Sequence, residues 1–482
     1  MKSLIIFSAS STFRPFSVVA SLALDVRDEG SETIVLNISD YSYVTQGLPP
    51  RWYANLVGHD VFPNALENFL FENQILYSRA KQPQSGASAP LPQHVEEQFE
   101  QAIDSDLTTY LRTDTPKIES WFYRYTRRKI SETSRGVYWE VRNRLQSAHF
   151  DLVLIPNGRV PEQRLAWLAA LDEKVKVEFY EIGRATEASY YRGGTQVHDR
   201  TNSQAEVFQA TADLSDTEVD KVAAQWLSTR SHTGLAIHPF GEKWEARKQS
   251  GTDQIQPKFL KAVFFSSSVD EFASYGESWN VHSWKDQYHA FGAVMRILQK
   301  NNVKCILRIH PNLLNKSGDN VKREIKQLRE LKKQFPDLTI VPPGDKTNSY
   351  DLLEQADFVI VGRSTLGLEG SCMGKPVWTT TAARYDDVAD IRKLHHPEDV
   401  NESGLTRWKV NSMKAKRFVA YWVIQDHPFR VAEKRWSTWD SMRAPKPLRL
   451  GTLLLKNAVP HKIHLLRLGL SRWRNEKRIF PH

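Results

Sequence analysis

"SYDLLEQADFVIVGRSTLGLEGSCMGKPVWTT", residues 349–380, decides the fold. "SYDLLEQA" (349–356) reads as a short helix capped by Ser349, with Leu352 and Leu353 inward. "DFVIVG" (357–362) is a continuous apolar run of strand length that ends on Gly362. "RSTLGLEGSCMG" (363–374) predicts a second helix stopped by Gly374, and "KPVW" starts the next strand. Strands that are apolar throughout and separated by single helices belong to a parallel sheet covered on both faces.

The same alternation extends outward from this stretch. Upstream lie strand "KAVFF" (261–265), helix "DQYHAFGAVMRILQKN" (286–301), strand "KCILRIH" (304–310), a charged helix (321–335) and strand "LTIVPP" (338–343). The beginning of the chain repeats the pattern with "SLIIFSA" (3–9), a helix, and "ETIVLNI" (32–38), then "HFDLVLIPNGR" (149–159) and "EKVKVEFYEIG" (173–183). The fold class is therefore α/β, with two Rossmann-like doubly wound domains. We expect the first at 1–235, with a helical insert at about 93–148, and the second at 258–400. A helical segment (401–442) packing on the body and a basic tail (443–482) follow. In the insert, "SWFYRYTRRK" (120–129) reads as a helix with an aromatic core face and a solvated basic face, in preference to a binding surface.

Composition narrows the classes. The chain has 482 residues, 40% apolar and 25% charged, as soluble globular proteins do. Two cysteines without CxxC or Cys/His clusters exclude a disulfide framework and a structural zinc. No stretch reaches the roughly 18 to 20 apolar residues that span a bilayer, and the first residues are too short for a signal core, so a cytoplasmic protein is expected. Residues 443–482 hold ten Lys/Arg against Glu476 alone, which equals the whole net charge of +9. Leu and Trp473 interleave with these cations, a composition suited to the inner face of an anionic membrane, with Pro460 breaking any single helix. Without a basic stripe on the body, nucleic acid is not an expected partner.

Several strand ends carry candidate chemistry. Strand 304–310 stops on Arg308, His310 and Pro311, two basic donors and a breaker, as the floor of an anion site would. Ser364 and Thr365 start the helix after Gly362, where backbone N–H groups and hydroxyls can seat a phosphate. Glu369, one turn on, can accept from a ribose diol. Asn157, Gly158 and Arg159 end a strand of the first domain, at the edge where α/β folds place ligands.

Residues 260–380 resemble the donor-binding half of GT-B glycosyltransferases, especially those of bacterial capsule and lipopolysaccharide biosynthesis, through "RIHPN", the 349–380 stretch and, more weakly, "FFSSSVDEF". The first domain resembles them in architecture only. The resemblance implies two domains facing a cleft, and a sugar moved from a nucleotide-activated donor to a surface-polysaccharide or lipid-linked acceptor. His310, Ser364 and Thr365 would touch the donor's phosphates with Arg308 lending charge, and Glu369 would hold its ribose. Ser266, Ser267, Ser268 and Glu271 would meet the donor sugar, or simply form a strand-to-helix turn. Asn157, Gly158 and Arg159 would lie on the acceptor side. Glu181, or His198 and Asp199, are the candidate bases, the latter pair also reading as a polar loop. No cofactor is implied, since the nucleotide-sugar is a substrate. No metal is implied either, and Asp104-Ser105-Asp106 is a metal-type DxD only in spelling, within a helical segment. Nucleotide-sugar 2-epimerases carry similar motifs, although they show two glycines after the serine where this chain has Thr365-Leu366. CDP-polyol phosphotransfer and a non-catalytic polysaccharide-assembly role stay open.

Overall fold

Strand β1 (Lys2–Phe7) is buried from Ser3 to Phe7, so it lies in the middle of its sheet. The computed structural model describes residues 1–8, 14–42, 61–80, 89–111, 113, 116–183, 188–196, 199–200, 203–233, 260–268, 279, 281–316, 318–402 and 408–432. These fall into two units. The first takes Met1–Leu111, Thr115–His198 and the chain from Gln425, and the second takes Arg112–Asp114 and Asp199–Ile424. The chain thus passes into the second unit at Asp199, not near residue 235, and the helical segments between them belong to the second unit.

In the first unit β1 is followed by α1 (Arg14–Asp28), β2 (Glu32–Asn37), α2 (Val61–Glu72), β3 (Leu76–Arg79), α3 (Gln93–Leu111), α4 (Trp121–Ser134), α5 (Val137–Ser147), β4 (Leu152–Pro156), α6 (Pro161–Asp172), β5 (Lys176–Ile182) and β6 (Ser189–Gly193). Period-2 alternation divides β1 between two cores. Leu4 and Ile6 pack under α3, α5 and α6 with Phe99, Ile103, Tyr138 and Leu165. Ile5 and Phe7 pack on the opposite face against α1 and α2, with Phe16, Val19, Leu66 and Phe69. The three helices of the expected insert are therefore part of the β3-to-β4 crossover and cover one face of the sheet.

The second unit contains α7 (Ser203–Ala210), α8 (Asp216–Thr233), β7 (Lys261–Phe265), α9 (Gln287–Lys300), β8 (Lys304–Arg308), α10 (Gly318–Gln334), β9 (Thr339–Val341), α11 (Ser349–Gln355), β10 (Phe358–Val361), α12 (Leu366–Cys372), β11 (Val377–Thr379), β12 (Arg392–Lys393) and α13 (Ser412–Gln425). α11 is capped by Asn348, whose side chain accepts from the Tyr350 N–H, and not by Ser349. β7 splits as β1 does: Ala262 and Phe264 join Phe291, Met295 and Leu331, while Val263 and Phe265 join Leu352 and Leu353. α13 packs by Trp422 on Trp226 of α8, ring centroids 6.2 Å apart, and by Tyr421, which donates to Glu206 at 2.6 Å. The chain then leaves this unit, and β13 (Asp426–Pro428) adds to the edge of the first sheet, antiparallel to β6. Within the expected helical segment 401–442, the described residues form a helix and a strand in different units.

The two sheets share one topology. The second runs β9–β8–β7–β10–β11–β12, all parallel. The first runs β13–β6–β5–β4–β1–β2–β3, with β1 to β5 parallel and β6 and β13 antiparallel additions. Each is wound outward in both directions from its first strand, the doubly wound Rossmann order. In such sheets the crevice for a ligand opens beyond the C-terminal ends of the two strands at which the winding reverses. Those strands are β7 and β10 in the second unit, and β1 and β4 in the first.

Candidate functional site

At the switch point of the second unit, three consecutive serines leave β7, and each hydroxyl meets a different backbone or side-chain donor. Ser266 Oγ accepts from the His310 N–H at 2.7 Å. Ser267 Oγ accepts from the Arg363 N–H at 2.9 Å. Ser268 Oγ accepts from Asn312 Nδ2 at 3.3 Å. Gln287, in the first turn of α9, holds the Ser267 backbone from both sides: its Oε1 accepts the N–H at 2.8 Å and its Nε2 donates to the carbonyl at 3.1 Å. The serines are buried, at 3%, 9% and 1% exposure. Their hydroxyls fasten the ends of β7, β8 and β10 together, so they act as a brace in place of the sugar contact expected for them. Gly362 is required by this closeness, because a Cβ there would lie 2.9 Å from Ser267 Oγ.

The brace ties the loop of His310 and the turn that begins at Arg363 to the end of β7. His310 caps the 3-10 turn Pro311–Asn315, and its Nδ1 accepts from the Asn312 N–H at 3.1 Å. In the neutral ring that leaves Nε2 as the N–H donor. Across the Ser266–Ser267 pair, Ser364 Oγ accepts from the Leu366 N–H at 3.3 Å and Thr365 Oγ1 accepts from Arg230 Nη2 at 3.2 Å. The Tyr385 hydroxyl donates to the Ser364 carbonyl at 2.5 Å and fixes this turn. α12 is only two turns long, so its dipole is a weaker phosphate seat than the sequence pattern implied.

Two of the predicted residues are committed elsewhere. Arg308 is 4% exposed and its guanidinium donates to the Pro342 carbonyl and, at 3.4 Å, to the Asp345 carbonyl. Burial pulls its pKa down, with Asp345 opposing. It pins the loop after β9 instead of standing as a loose cation. Glu369 is fully buried; its Oε1 takes a 2.7 Å bond from Arg230 Nε, and its Oε2 has no hydrogen-bond partner. It has the hydrogen-bonding capacity expected of a ribose acid, but its carboxylate sits inside an ion pair. Glu271 and His198 lie outside the described residues.

Beside this brace stands a second polar group that sequence reading missed. Arg200 Nη2 donates to Asp386 Oδ1 at 2.5 Å and to Asp387 Oδ2 at 3.2 Å. Its guanidinium lies 5.5 Å from the Trp279 ring centroid, and that of Arg363 lies 5.9 Å from the same ring. Arg363 also donates to Thr381 Oγ1 and the Trp279 carbonyl. His395 Nε2 is 3.7 Å from Asp386 Oδ2. Burial, with Lys393 and Arg200 adding to it, pulls the His395 pKa down to about 4, so its ring is neutral at pH 7. Of the "HDR" stretch, Arg200 reaches this cluster, and His198 lies outside the described residues.

In the first unit, Asn157 and Gly158 form the turn after β4, with φ of 50° and 77°. Asn157 Nδ2 donates to Glu181 Oε2 at 2.6 Å, and Glu181 Oε1 accepts from the Ile182 N–H at 3.1 Å. The predicted acceptor-side asparagine and candidate base are thus brought together. Arg159 is 8% exposed and reaches α3 instead of solvent, donating to Thr109 Oγ1 at 3.0 Å and Ser105 Oγ at 3.4 Å. The carboxyl that burial does poise is Glu162, in the first turn of α6 and 1% exposed. Its pKa is pushed up to about 7 by burial, against the lowering effect of its own backbone N–H and of the Ser42 and Ser8 hydroxyls. Ser8, at the end of β1, donates to its Oε1 at 3.3 Å. Asp106 of α3 is also buried, and burial first, then Glu162, raises its pKa well above the usual range. No metal-binding cluster occurs among the described residues.

No protein-family model matches the chain, and no curated protein does. Similar solved structures include KpsC of Thermosulfurimonas dismutans, a beta Kdo 2,4 transferase, at 14% identity and a TM-score of 0.35 over 55% of this chain and 79% of that one. UDP-GlcNAc 2-epimerase of Neisseria meningitidis, bound to UDP-GlcNAc, is similar at 11% identity and 0.30, covering 84% of this chain and 90% of its own. MurG of Acinetobacter baumannii is similar at 10% identity and 0.31, covering 92% and 99%. At these scores the likeness bears on neither activity nor substrate.

Proposed function

We propose that the chain is a glycosyltransferase that moves a sugar from a nucleotide-activated donor to a surface-polysaccharide or lipid-linked acceptor. The observation that carries this reading is the serine brace at the β7/β10 switch point, which ties the loop of His310 and the turn leading into Ser364 and Thr365 to the strand end where doubly wound sheets take nucleotides. His310 Nε2–H and the two hydroxyls meet the donor's phosphate, and they stabilise the negative charge that grows on the leaving oxygen as the glycosidic bond breaks. Arg308 and Glu369 act indirectly, holding the loop after β9 and the helix α12 that frame the phosphate. The acceptor and its proton are assigned to the first unit. Among the carboxyls of that unit, Glu162, whose pKa lies near neutrality, has the proton affinity that a general base needs.

The test is a calorimetric screen of UDP-, GDP- and CMP-sugars against the wild-type chain, His310→Ala and Ser364→Ala. One donor class should bind, and losing the His310 hydrogen bond to a charged phosphate should weaken it about tenfold or more. Unchanged affinity in both variants refutes the site. NMR of the chain with donor alone separates the reactions, since 2-epimerisation proceeds without an acceptor and glycosyl transfer does not.

A further inference from the structure

Helix α4 carries an exposed indole in its first turn. Its core side carries Tyr123, Thr126, Ile130 and Ser134, so two of the four buried positions are polar. Its exposed positions are Trp121, Arg124, Arg128 and Glu132. Trp121 is 56% exposed, and Ile118 in the turn before it is 57% exposed. Phe122 and Tyr125 are half-buried beside them. Trp121 and Tyr125 are i, i+4 neighbours on α4, and Ile118 stands in the turn that leads into it. The rings brace one another: the Trp121 centroid lies 5.8 Å from Phe122 and 6.5 Å from Tyr125, and Phe122 stacks on Tyr110 at 6.5 Å. Tyr123 faces the core as expected of this stretch, while Trp121 does not.

The flanks of that face are cationic. Residues 117–129 include Lys117, Arg124, Arg127, Arg128 and Lys129 against Glu119 alone. Arg127 is held by Glu100 and Asp104, and Lys129 by Glu132 at 2.7 Å. Arg124 and Arg128 are exposed, the latter only loosely paired with Glu132 at 3.4 Å across two exposed side chains. Aromatic rings and an aliphatic tip ringed by Arg and Lys are the composition of a helix lying in a headgroup layer. A glycan platform would instead set amides and carboxylates beside the ring. A self-interface would bring the cations of two copies together.

We propose that this face of α4 docks on an anionic lipid surface, with Ile118 and Trp121 entering the headgroup–acyl boundary and Arg124 and Arg128 meeting lipid phosphates. A single small apolar insertion binds only marginally, and firm attachment takes a second signal. The basic tail 443–482, which lies outside the described residues, has the composition to supply it.

The experiment uses the full chain carrying Trp121→Cys, labelled with a bimane probe. Cys305 and Cys372 are buried, and burial pushes their thiols up, Cys305 to about 12, so the introduced thiol labels selectively. On vesicles of phosphatidylcholine mixed with phosphatidylglycerol the emission should shift to the blue and be quenched by spin-labelled lipid. Pure phosphatidylcholine should leave it unchanged, and high salt should reverse the shift. A probe on Lys221→Cys, exposed on α8, should stay in water throughout. Ile118→Ser with Trp121→Ser should lower partitioning onto the mixed vesicles about tenfold, with far-ultraviolet circular dichroism and the melting temperature unchanged. A probe that stays in water on bound vesicles overturns the proposal, as does undiminished partitioning of the double variant. A blue shift that grows with protein concentration in the absence of lipid, or that a soluble oligosaccharide produces, overturns it in favour of self-association or glycan binding.

Discussion

Glu162 illustrates what a residue's surroundings add to its identity. Its carboxyl is 1% exposed and titrates near 7 instead of 4.5 because burial penalises the charged form. In the unfolded chain it ionises at the ordinary value. The folded state therefore holds more protons than the unfolded state between pH 4.5 and about 7, and stability falls as pH rises through that window. Glu162→Gln removes the titrating group while keeping the shape. We expect urea denaturation at pH 8 to find the variant more stable than wild type by about 2 to 3 kcal/mol, and at pH 4 to find little difference. A variant no more stable at pH 8 would mean that Glu162 ionises freely in the folded protein. Nothing in "VPEQRL" marks this residue, since an acid in the first turn of a helix is ordinary. Its hydrogen-bond partner Ser8 lies 154 positions away. Glu181, by contrast, was legible as a strand-end acid, and the structure adds that two donors already occupy it.

At the scale of elements, strands and helices were readable where one pattern ran unbroken. β1, β7, β8 and β10 are continuous apolar runs ended by glycine, proline or serine, and α9 shows its 3.6-residue stripe plainly. β3, β6, β12 and β13 escaped because they are edge or near-edge strands of two to five residues, too short for a period to register. Contacts between elements escaped for a different reason. Glu369 reads as a ligand acid only until Arg230, 139 residues earlier on α8, is seen against it. Their side chains are 0% and 9% exposed, so the pair couples α8 to α12 without solvent screening. Glu369→Ala leaves an unpaired guanidinium in the interior and should cost roughly 3 to 5 kcal/mol. Replacing both residues with leucine should cost clearly less than the two single changes together. Chemical denaturation of the four proteins in the cycle measures this coupling, and additivity would mean that the two helices are held by their apolar contacts alone.

At the scale of the molecule, the chain's path decides which truncations each unit can survive. Both doubly wound sheets followed from the alternation of apolar strands and helices, but the crossing points did not. They depend on where α7, α8, α13 and β13 pack, and no local pattern reports that. α13 completes the second unit through buried Phe418, Tyr421 and Trp422, and β13 then extends the first sheet. A chain ended after residue 400, where the second domain was expected to close, loses both contributions. A chain ended after Ala432 keeps each of the elements described above and loses the basic tail. We therefore expect the 1–432 chain to melt within a few degrees of the full protein, and the 1–400 chain to lose cooperative unfolding in calorimetry. On phosphatidylglycerol-containing vesicles the 1–432 chain should partition more weakly than the full chain, yet still respond to Ile118→Ser with Trp121→Ser. Trp121 with its neighbours on α4 and the tail are separate segments of the chain, and their contributions to one membrane should multiply as independent affinities joined on a single body. Equal partitioning of the 1–432 and full chains would remove the tail from that scheme, because cations that raise affinity for an anionic surface cannot be deleted without a loss.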